Sequence, residues 1–301
     1  MPDKPLLTLA ISCTVLFDMS ESDRIFHQEG IERYREHQLK HENDILKPGA
    51  AFALVKKLLD LNKKEHLVEV VLLSRNSANT GLRVFNSIEH HKLDIRKAAF
   101  TSGKNPYRYL HAFGAQLFLS TKKDDVQSAL NSGCAAGMLL TPHAHGNTSR
   151  LLRIAFDGDC VLFSDEAEKI NCEKGLEAFS INEKQSAKVP LQSGPFKPFL
   201  DALCAVQSHF PDNDCPIKTA LVTAREAPAH ERVIRTLRSW NIRLDEAIFL
   251  GGMSKTEFLK SFGADIFFDD RQSHCTAANE HLAAAHVPHG ITNKNKEDST
   301  K

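Results

Sequence analysis

The stretch "FGADIFFD", residues 262–269, has a close counterpart 149 residues earlier in the chain, "FGAQLFLS" at 113–120. Further pairs keep this spacing or one of 145 or 146 residues: 72–74 with 221–223, Gly30 with Gly175, Gly49 with Gly194, and 15–17 with 161–163. A repeat of this length predicts a duplicated domain rather than a solenoid built from short units.

Each copy alternates short apolar runs with amphipathic segments. In the first copy, "VEVVLLS" (68–74) is typical of a strand buried on both faces, and "PGAAFALVKKLLDLNKK" (48–64) spaces its apolar residues as a helix does. The second copy runs likewise through "TALVTA", "ERVIRTLRSW", "EAIFLGG", "KTEFLKSFG", "DIFFDD" and "CTAANEHLAAA". This alternation predicts an α/β fold with two tandem, related, doubly wound parallel-sheet halves of Rossmann type.

The domain boundaries follow from the repeat and from local composition. We expect a first copy over residues 1–145 and a second over 146–292, separated by the polar, turn-rich segment 141–150. Residues 164–217 of the second copy are expected to form a cap over its pocket. The tail 293–301 lacks apolar residues and is expected to be disordered.

The composition excludes several classes of partner. Lys plus Arg and Asp plus Glu both number 38 in the 301 residues, so the formal charge is zero, which argues against a nucleic-acid polymer as partner. The seven cysteines form no CxxC pair, which indicates free thiols and a cytoplasmic protein. The apolar run 6–17 is too short to span a bilayer and is better explained as a buried strand, so no membrane partner is expected.

The two copies differ where parallel strands end, which is where α/β sheets place their chemistry. The second copy carries charged or hydroxyl side chains there: Asp157, Asp159, Thr223, Lys255, Asp269 and Asp270. The sequence alignment places Ile11, Cys13, Ser74, Pro106, Ser120 and Thr121 at the corresponding points of the first copy, none of them charged. This asymmetry predicts a single active site, in the second copy.

The charged set has a chemical interpretation. Asp157 and Asp159 are two residues apart, so in extended chain they project to the same side, and a divalent cation would relieve their repulsion. Carboxylate oxygens suit Mg²⁺, and either Asp269 or Asp270 can complete its site. An Asp-Gly-Asp sequence alone is also common in turns. The order of all the elements at successive strand ends instead indicates phosphoryl transfer with a carboxylate nucleophile.

The order of D-x-D, Thr, Lys and DD resembles the four motifs of the haloacid dehalogenase-like phosphatases. Longer stretches, among them "AFDGDCVLFSDEAE", "CPIKTALVTAR" and "HQLKHENDILKPGAAFALVKKLL", are similar to the cytosolic 5'-nucleotidases of type 1, over about residues 8 to 290. The resemblance implies Mg²⁺-dependent hydrolysis of nucleoside 5'-monophosphates, AMP prominently. It also implies that both halves are haloacid dehalogenase-like, with a non-catalytic first copy.

The resemblance further implies a role for each residue. Asp157 would be the nucleophile, and Asp159 would protonate the leaving ribose oxygen and later deprotonate the attacking water. Thr223 and Lys255 would hold the phosphoryl oxygens. Asp157, the main-chain carbonyl of Asp159, and Asp269 or Asp270 would bind Mg²⁺. Arg225 and Lys197 are added as candidates for substrate binding.

Two alternatives stay open at this point. The enzyme could act on another small phosphomonoester such as a sugar phosphate, or the chain could be a nucleotide-binding regulator without turnover. The preferred base and the oligomeric state, a homo-oligomer included, are also open.

The first copy has its own polar cluster at one strand end. In "LLSRNSANTGLR" (72–83), donors suited to an anion at a helix N-terminus are Ser74, Arg75, Asn76, Thr80 and Arg83. One interpretation is a nucleotide or regulatory site without cleavage. The other is that these residues cap helices and pack the two halves together.

Overall fold

The computed structural model describes residues 4–141 and 149–293. Ten strands form one sheet in the order β3-β2-β1-β4-β5-β10-β9-β6-β7-β8. Their bounds are β1 (Leu7–Ile11), β2 (Val68–Ser74), β3 (Lys97–Phe100), β4 (Leu117–Ser120), β5 (Ala135–Leu139), β6 (Leu152–Phe156), β7 (Ile217–Thr223), β8 (Glu246–Phe249), β9 (Ile266–Asp269) and β10 (Ala283–His286).

Helices connect and cover these strands. They are α1 (Cys13–Leu16), α2 (Ser20–Lys40), α3 (Phe52–Leu59), α4 (Leu82–His90), α5 (Leu110–Phe113), α6 (Lys123–Asn131), α7 (Glu166–Gln185), α8 (Lys197–Gln207), α9 (His230–Ser239), α10 (Thr256–Phe262) and α11 (Gln272–Asn279), with three short 3₁₀ turns at 60–63, 78–80 and 106–109. The expected strand at 68–74 and helix within 48–64 are both confirmed. No helix among the described residues is long and apolar enough to cross a membrane.

The strand order repeats within the sheet. The first five strands lie in the order 3-2-1-4-5, and the last five lie in the matching order 8-7-6-9-10, all parallel within each group. The groups meet where β10 runs antiparallel to β5, pairing Ala285 with Leu139 and His286 with Met138. The expected α/β fold is therefore confirmed as a mostly parallel, Rossmann-like sheet.

The register shows that one sequence alignment is wrong by one residue. Ile11 pairs with Leu72 and Leu119, and Phe156 pairs with Leu221 and Phe268 in the same way. Ile11 thus corresponds to Phe156. It follows that Asp157 and Asp159 correspond to Ser12 and Thr14, not to Ile11 and Cys13.

The slip has a local cause. The spacing between the copies is 145 residues at Ser12 and Asp157 but 146 at Val15 and Val161, so the second copy holds one extra residue in between. Cys160 lies in this turn with φ 63°, a left-handed conformation that is uncommon for residues other than glycine. The extra residue shifts the sequence match without moving the strand.

The main hydrophobic core joins both groups of strands. It contains residues of the first group, such as Leu9 and Leu72, and residues of the second, such as Phe156 and Phe268, all fully buried. The helix α8 packs on β1 and β5 of the first group, and α3 packs on β6 of the second as well as on its own β2. A sheet buried on both faces requires this near-continuous apolar sequence.

The segment 164–217 divides into two parts. The helix α8 buries Phe199, Leu200 and Leu203 in the main core. By contrast, α7 buries few residues and bends at Gly175, whose φ of 83° is left-handed. The corresponding α2 bends in the same manner at Gly30, with φ 86°. Most of the expected boundary segment 141–150 and nearly all of the tail 293–301 fall outside the described residues.

Candidate active site

The carboxyl ends of β6 and β9 are adjacent and bring three predicted residues into contact. The Nζ of Lys255 lies 2.7 Å from Oδ1 of Asp157 and 2.7 Å from Oδ2 of Asp269. Lys255 reaches this point from the N-cap position of α10. All three side chains are buried, so the lysine charge is held between two carboxylates away from bulk solvent.

Asp269 and Asp270 have different surroundings although they are neighbours in sequence. Asp269 accepts hydrogen bonds from Lys255, from the main-chain N–H of Arg271 at 2.7 Å, and lies 3.0 Å from Nδ1 of His274. The Oδ2 of Asp270 is buried and has no hydrogen-bond partner among the described residues. One aspartate is therefore fully engaged by the protein, and the other presents an unused buried oxygen.

The surroundings perturb the pKa of each group in a different direction. Burial raises the pKa of Asp157 to about 6 against the opposing effect of Lys255. Burial together with Asp157 and Asp269 raises the pKa of Asp270 to about 9. For Asp269, burial acts upward, but Lys255 and His274 outweigh it and lower its pKa. If all three carboxyl groups were ionised, their charge would exceed that of Lys255, and the raised pKa values of Asp157 and Asp270 reflect this excess.

The residues fit a hard divalent cation. Asp157, Asp269 and Asp270 each offer an oxygen within 4.8 Å of the others, and all three are buried. Cys160, Glu168 and Asp270 form a second such group, so Asp270 is common to both. Carboxylate oxygens match the ligand preference of Mg²⁺, and the unpartnered oxygen of Asp270 is a free ligand atom.

Asp159 is held by a buried ion-pair network that includes Arg225. The guanidinium of Arg225 donates from Nε to Oδ2 of Asp159 at 2.9 Å and from Nη2 to Oδ1 at 2.7 Å. Its Nη1 donates to Glu183, a fully buried residue of α7, and Arg232 donates to the other oxygen of Glu183 at 2.8 Å. The network links α7 and α9 to the Asp-Gly-Asp turn.

The remaining candidates for substrate binding lie in different places. Thr223 ends β7 beside that turn, and its Oγ1 would lie 3.3 Å from a Cβ placed on Gly158. Lys197 forms an ion pair with Asp201 at 2.7 Å and its Nζ lies 5.3 Å from the centre of the Trp240 ring. Arg225 already donates hydrogen bonds to Asp159 and to Glu183. Thr223 therefore borders the carboxylate cluster, while Lys197 contacts other residues.

Four of the five candidates in the first half border a cavity of about 660 Å³: Ser74, Arg75, Asn76 and Thr80. The fifth, Arg83, donates from Nε to the main-chain oxygen of Asp44 at 2.9 Å and is not among the residues that line this cavity. Ser77 caps the turn at 78–80, where its hydroxyl accepts a hydrogen bond from the main-chain N–H of Thr80. Four of the five residues thus line the cavity, whereas Arg83 has a structural role.

The sequence analysis did not predict several residues around the site in the second half. Glu183 and Glu168 are acids of an amphipathic helix, which in sequence look like solvated surface, and no local signal marks them as buried. Arg232 carried a signal, because it matches Arg83 in the repeat. Both arginines donate from Nε to a main-chain oxygen at 2.9 Å, to Val189 and to Asp44 respectively.

The protein combines a Rossmann-like sheet with a cluster of carboxylates, lysine and threonine at the carboxyl edge of that sheet. This combination defines the class of α/β proteins equipped to handle a phosphoryl group. Residues 1–294 match the family described as 5'-nucleotidase. The chain is also 39% identical over 295 residues to human (Homo sapiens) "Cytosolic 5'-nucleotidase 1B", covering 92% of this chain and 48% of that protein. The chain belongs to the 5'-nucleotidase family.

The chain spans about half the length of the human relative. Among solved structures, a histidinol dehydrogenase from Elizabethkingia anophelis matches 93% of this chain and 52% of its own, with 10% identity and a TM-score of 0.24. Such a score supports no conclusion about fold or function.

Proposed function

We propose that this chain is a Mg²⁺-dependent 5'-nucleotidase that hydrolyses nucleoside 5'-monophosphates, AMP-like ones included, with its active site in the second half. The observation that carries the proposal is the ion-paired set of Lys255, Asp157 and Asp269 beside the unpartnered oxygen of Asp270. Family membership supports the substrate class. Seven free cysteines suit the cytosol named for the human relative.

The domain assignment belongs to the same proposal. The repeated strand order supports two haloacid dehalogenase-like halves, over 1–145 and 146–292, that arose by duplication. Within the second, α7 is the better candidate for the cap, because α8 contributes to the main core. Glu183 would carry contacts from this cap to the site through Arg225.

Mg²⁺ would be held by Asp157, by Asp270 and by the main-chain carbonyl of Asp159. Asp270 is favoured over Asp269 because the oxygens of Asp269 already have donors. When bound, the ion would supply positive charge against the phosphoryl oxygens. Lys255 adds a second cation, and Thr223 adds a hydroxyl donor.

The chain's own residues would perform two displacements. In the first, a carboxylate oxygen of Asp157 attacks phosphorus, the bond from phosphorus to the ribose oxygen breaks, and Asp159 gives that oxygen its proton. In the second, water attacks phosphorus of the aspartyl-phosphate, Asp159 takes its proton, and phosphate leaves. Asp157 is regenerated for the next cycle.

Asp159 has to move for the first step. Both of its carboxylate oxygens accept a hydrogen bond from Arg225 in this structure, whereas the first step requires one of them to donate to the ribose oxygen. The proposed sequence therefore begins with Asp159 released from at least one of these bonds. Arg225 would act as the residue that returns it to position.

The decisive experiment compares Asp157→Asn with the wild type. We expect hydrolysis of AMP to fall by about a thousandfold or more with the folded structure retained, because an amide is a poor nucleophile. Ser12→Ala, at the corresponding point of the first half, is the matched control and should keep activity.

A panel of phosphomonoesters tests the substrate class. Phosphate release should be faster with nucleoside monophosphates than with sugar phosphates. Preference for a sugar phosphate over every nucleotide would contradict the nucleotidase assignment, and binding without any release would favour the regulator.

A further inference from the structure

The first half has a cavity where the second half has its catalytic cluster. It measures about 660 Å³ and is lined at its base by residues at the carboxyl ends of β1, β2 and β4, among them Ser12, Ser74 and Ser120. In the second half, β6 is followed directly by Asp157, and β7 and β9 end in Thr223 and Asp269. The volume suits one small organic molecule.

Hydroxyl groups line this cavity at the points where the second half has its catalytic carboxylates. Ser12 and Thr121 occupy the positions of Asp157 and Asp270, and Thr14 follows Ser12 at the same spacing as Asp159 follows Asp157. Their oxygens form a chain, with 2.9 Å from Ser12 Oγ to Thr14 Oγ1 and 2.8 Å from there to Thr121 Oγ1. Neutral hydroxyls neither attack phosphorus nor hold Mg²⁺ as carboxylates do, but they both donate to and accept from a polyhydroxyl ligand.

One polar donor in the wall has no protein partner. The Oδ1 of Asn76 accepts from the Tyr34 hydroxyl at 2.8 Å, while its Nδ2 is buried and has no hydrogen-bond partner among the described residues. A buried amide left unpaired costs free energy, so a ligand acceptor at this point would stabilise it. Asn76 occupies the position that Arg225 has in the second half, 149 residues later. The cavity wall therefore carries no charge at this point.

The mouth of the cavity is apolar and aromatic. Phe26, Ile31 and Tyr34 of α2 line it, with Phe26 44% and Ile31 53% exposed. The Phe26 and Tyr34 rings meet edge to face, 5.8 Å between centroids. Large exposed apolar side chains at the mouth of a polar cavity suit a planar, partly apolar group such as a nucleobase.

The charge around the cavity is nearly balanced. Arg75 is bound by Asp125, with Nε 3.0 Å from Oδ1, so its charge is largely matched by a buried carboxylate. The other charged residues of the lining are Arg35, Lys122 and Lys123 on one side of the balance and Asp23 and Asp124 on the other. This balance favours a neutral or weakly charged ligand and disfavours a polyphosphate.

We propose that the first half binds a nucleoside, free or as its 5'-monophosphate, and does not hydrolyse it. The ribose hydroxyls would meet the hydroxyl chain and Asn76, and the base would lie against Phe26. The proposal does not depend on turnover in the second half, because it rests on the cavity of the first.

The test measures ligand stoichiometry on the full chain. In an Asp157→Asn background, which prevents turnover, calorimetric titration with adenosine and with AMP should reveal a binding event that is independent of Mg²⁺. Phe26→Ala should weaken that event about tenfold, since it removes a stacking surface. The control is Leu39→Ala, at a 43% exposed residue of the same helix that does not line the cavity.

Comparing the affinities for adenosine, AMP and inorganic phosphate shows which part of the ligand the protein binds. Equal affinity for adenosine and AMP would support the proposal with the phosphate in solvent, and tighter AMP binding would support it with a contact to Arg75 or Lys122. Absence of the Mg²⁺-independent event, its insensitivity to Phe26→Ala, or its displacement by inorganic phosphate alone would overturn the proposal.

Discussion

Asp269 and Asp270 show how two adjacent carboxylates acquire separate tasks. Asp269 is held by Lys255, His274 and a main-chain N–H, and therefore positions the lysine. Asp270 keeps a bare, buried oxygen. Burial and the neighbouring acids make the ionised form of Asp270 costly, and a bound ion would offset that cost.

This difference predicts the outcome of Mg²⁺ titration. Mg²⁺ should raise the melting temperature of the wild type, because an ion bound only to the folded state stabilises it by about 2.7 kcal/mol at a hundred times its dissociation constant. Asp270→Asn should melt no lower than the wild type without the ion and lose most of the rise. Thermal melts with and without Mg²⁺ measure both effects.

The control is Asp201→Asn, at a half-exposed carboxylate paired with Lys197. It should keep the full Mg²⁺-dependent rise. A rise retained in Asp270→Asn but lost in Asp269→Asn would reverse the proposed ligand assignment.

Much of the site could be predicted at this scale. Strand-end reasoning predicted that Asp157, Thr223 and Lys255 lie near one another, because parallel strands bring their carboxyl ends to one edge of the sheet. It could not choose between Asp269 and Asp270, since that choice depends on which side chain turns toward Lys255. Nor could it find Glu183, whose burial is decided by tertiary packing alone.

At the scale of the element, one glycine in each half allows a loop to pass close to the main chain. A Cβ on Gly49 would lie 2.8 Å from the main-chain oxygen of Val15, and one on Gly194 would be still closer to the oxygens of Val161 and Phe163. Main-chain atoms cannot turn aside as a flexible side chain can. Both glycines are therefore required by close approach.

Replacing each of these two glycines by alanine gives a matched pair of variants. Gly194→Ala should lower stability by about 1–3 kcal/mol and also lower kcat, because the displaced chain carries the Asp159 turn. Gly49→Ala should lower stability by a similar amount and leave kcat unchanged. Denaturant unfolding and initial rates give the two readouts, and equal losses of kcat would contradict a catalytic site confined to the second half.

The helix α7 depends on the buried charges at its end. Glu183 pairs with Arg225 and with Arg232, so Glu183→Gln leaves two buried guanidinium groups short of a carboxylate. We expect a loss of about 3–5 kcal/mol in the free energy of unfolding. We also expect a lower kcat with a smaller change in KM, because Arg225 then holds Asp159 less well. A change confined to stability would assign the network a structural role only.

Element prediction was weakest at the last strand. The segment "CTAANEHLAAA" matches a helix pattern, and alanine is the best helix former, yet Ala283 begins β10. The strand is fixed by its neighbours, since β10 lies between β9 and β5 and is fully buried. Its antiparallel pairing with β5 leaves no trace in the local sequence.

At the scale of the whole molecule, the two halves are joined by several kinds of contact. They share the β5–β10 junction, the main core and the ion pair of Lys57 with Asp265, 2.6 Å apart and nearly buried. Separating the halves would expose the faces of β1 and β5 that α8 covers. The two repeats are therefore expected to depend on each other for stability.

This dependence predicts a single unfolding transition. Calorimetry of the full chain should give one peak whose calorimetric and van't Hoff enthalpies agree. Lys57→Met should shift that peak without splitting it. Two resolved peaks would indicate that the halves are independent domains joined in tandem.

The contrast between α7 and the rest of the fold has a spectroscopic consequence. All seven cysteines lie in the described part of the chain, and Cys172 of α7 alone is exposed. The sequence contains one tryptophan, Trp240, at the end of α9. A dye coupled to Cys172 would thus form a single donor–acceptor pair with the native indole, so energy transfer could follow the helix in real time without introducing any mutation.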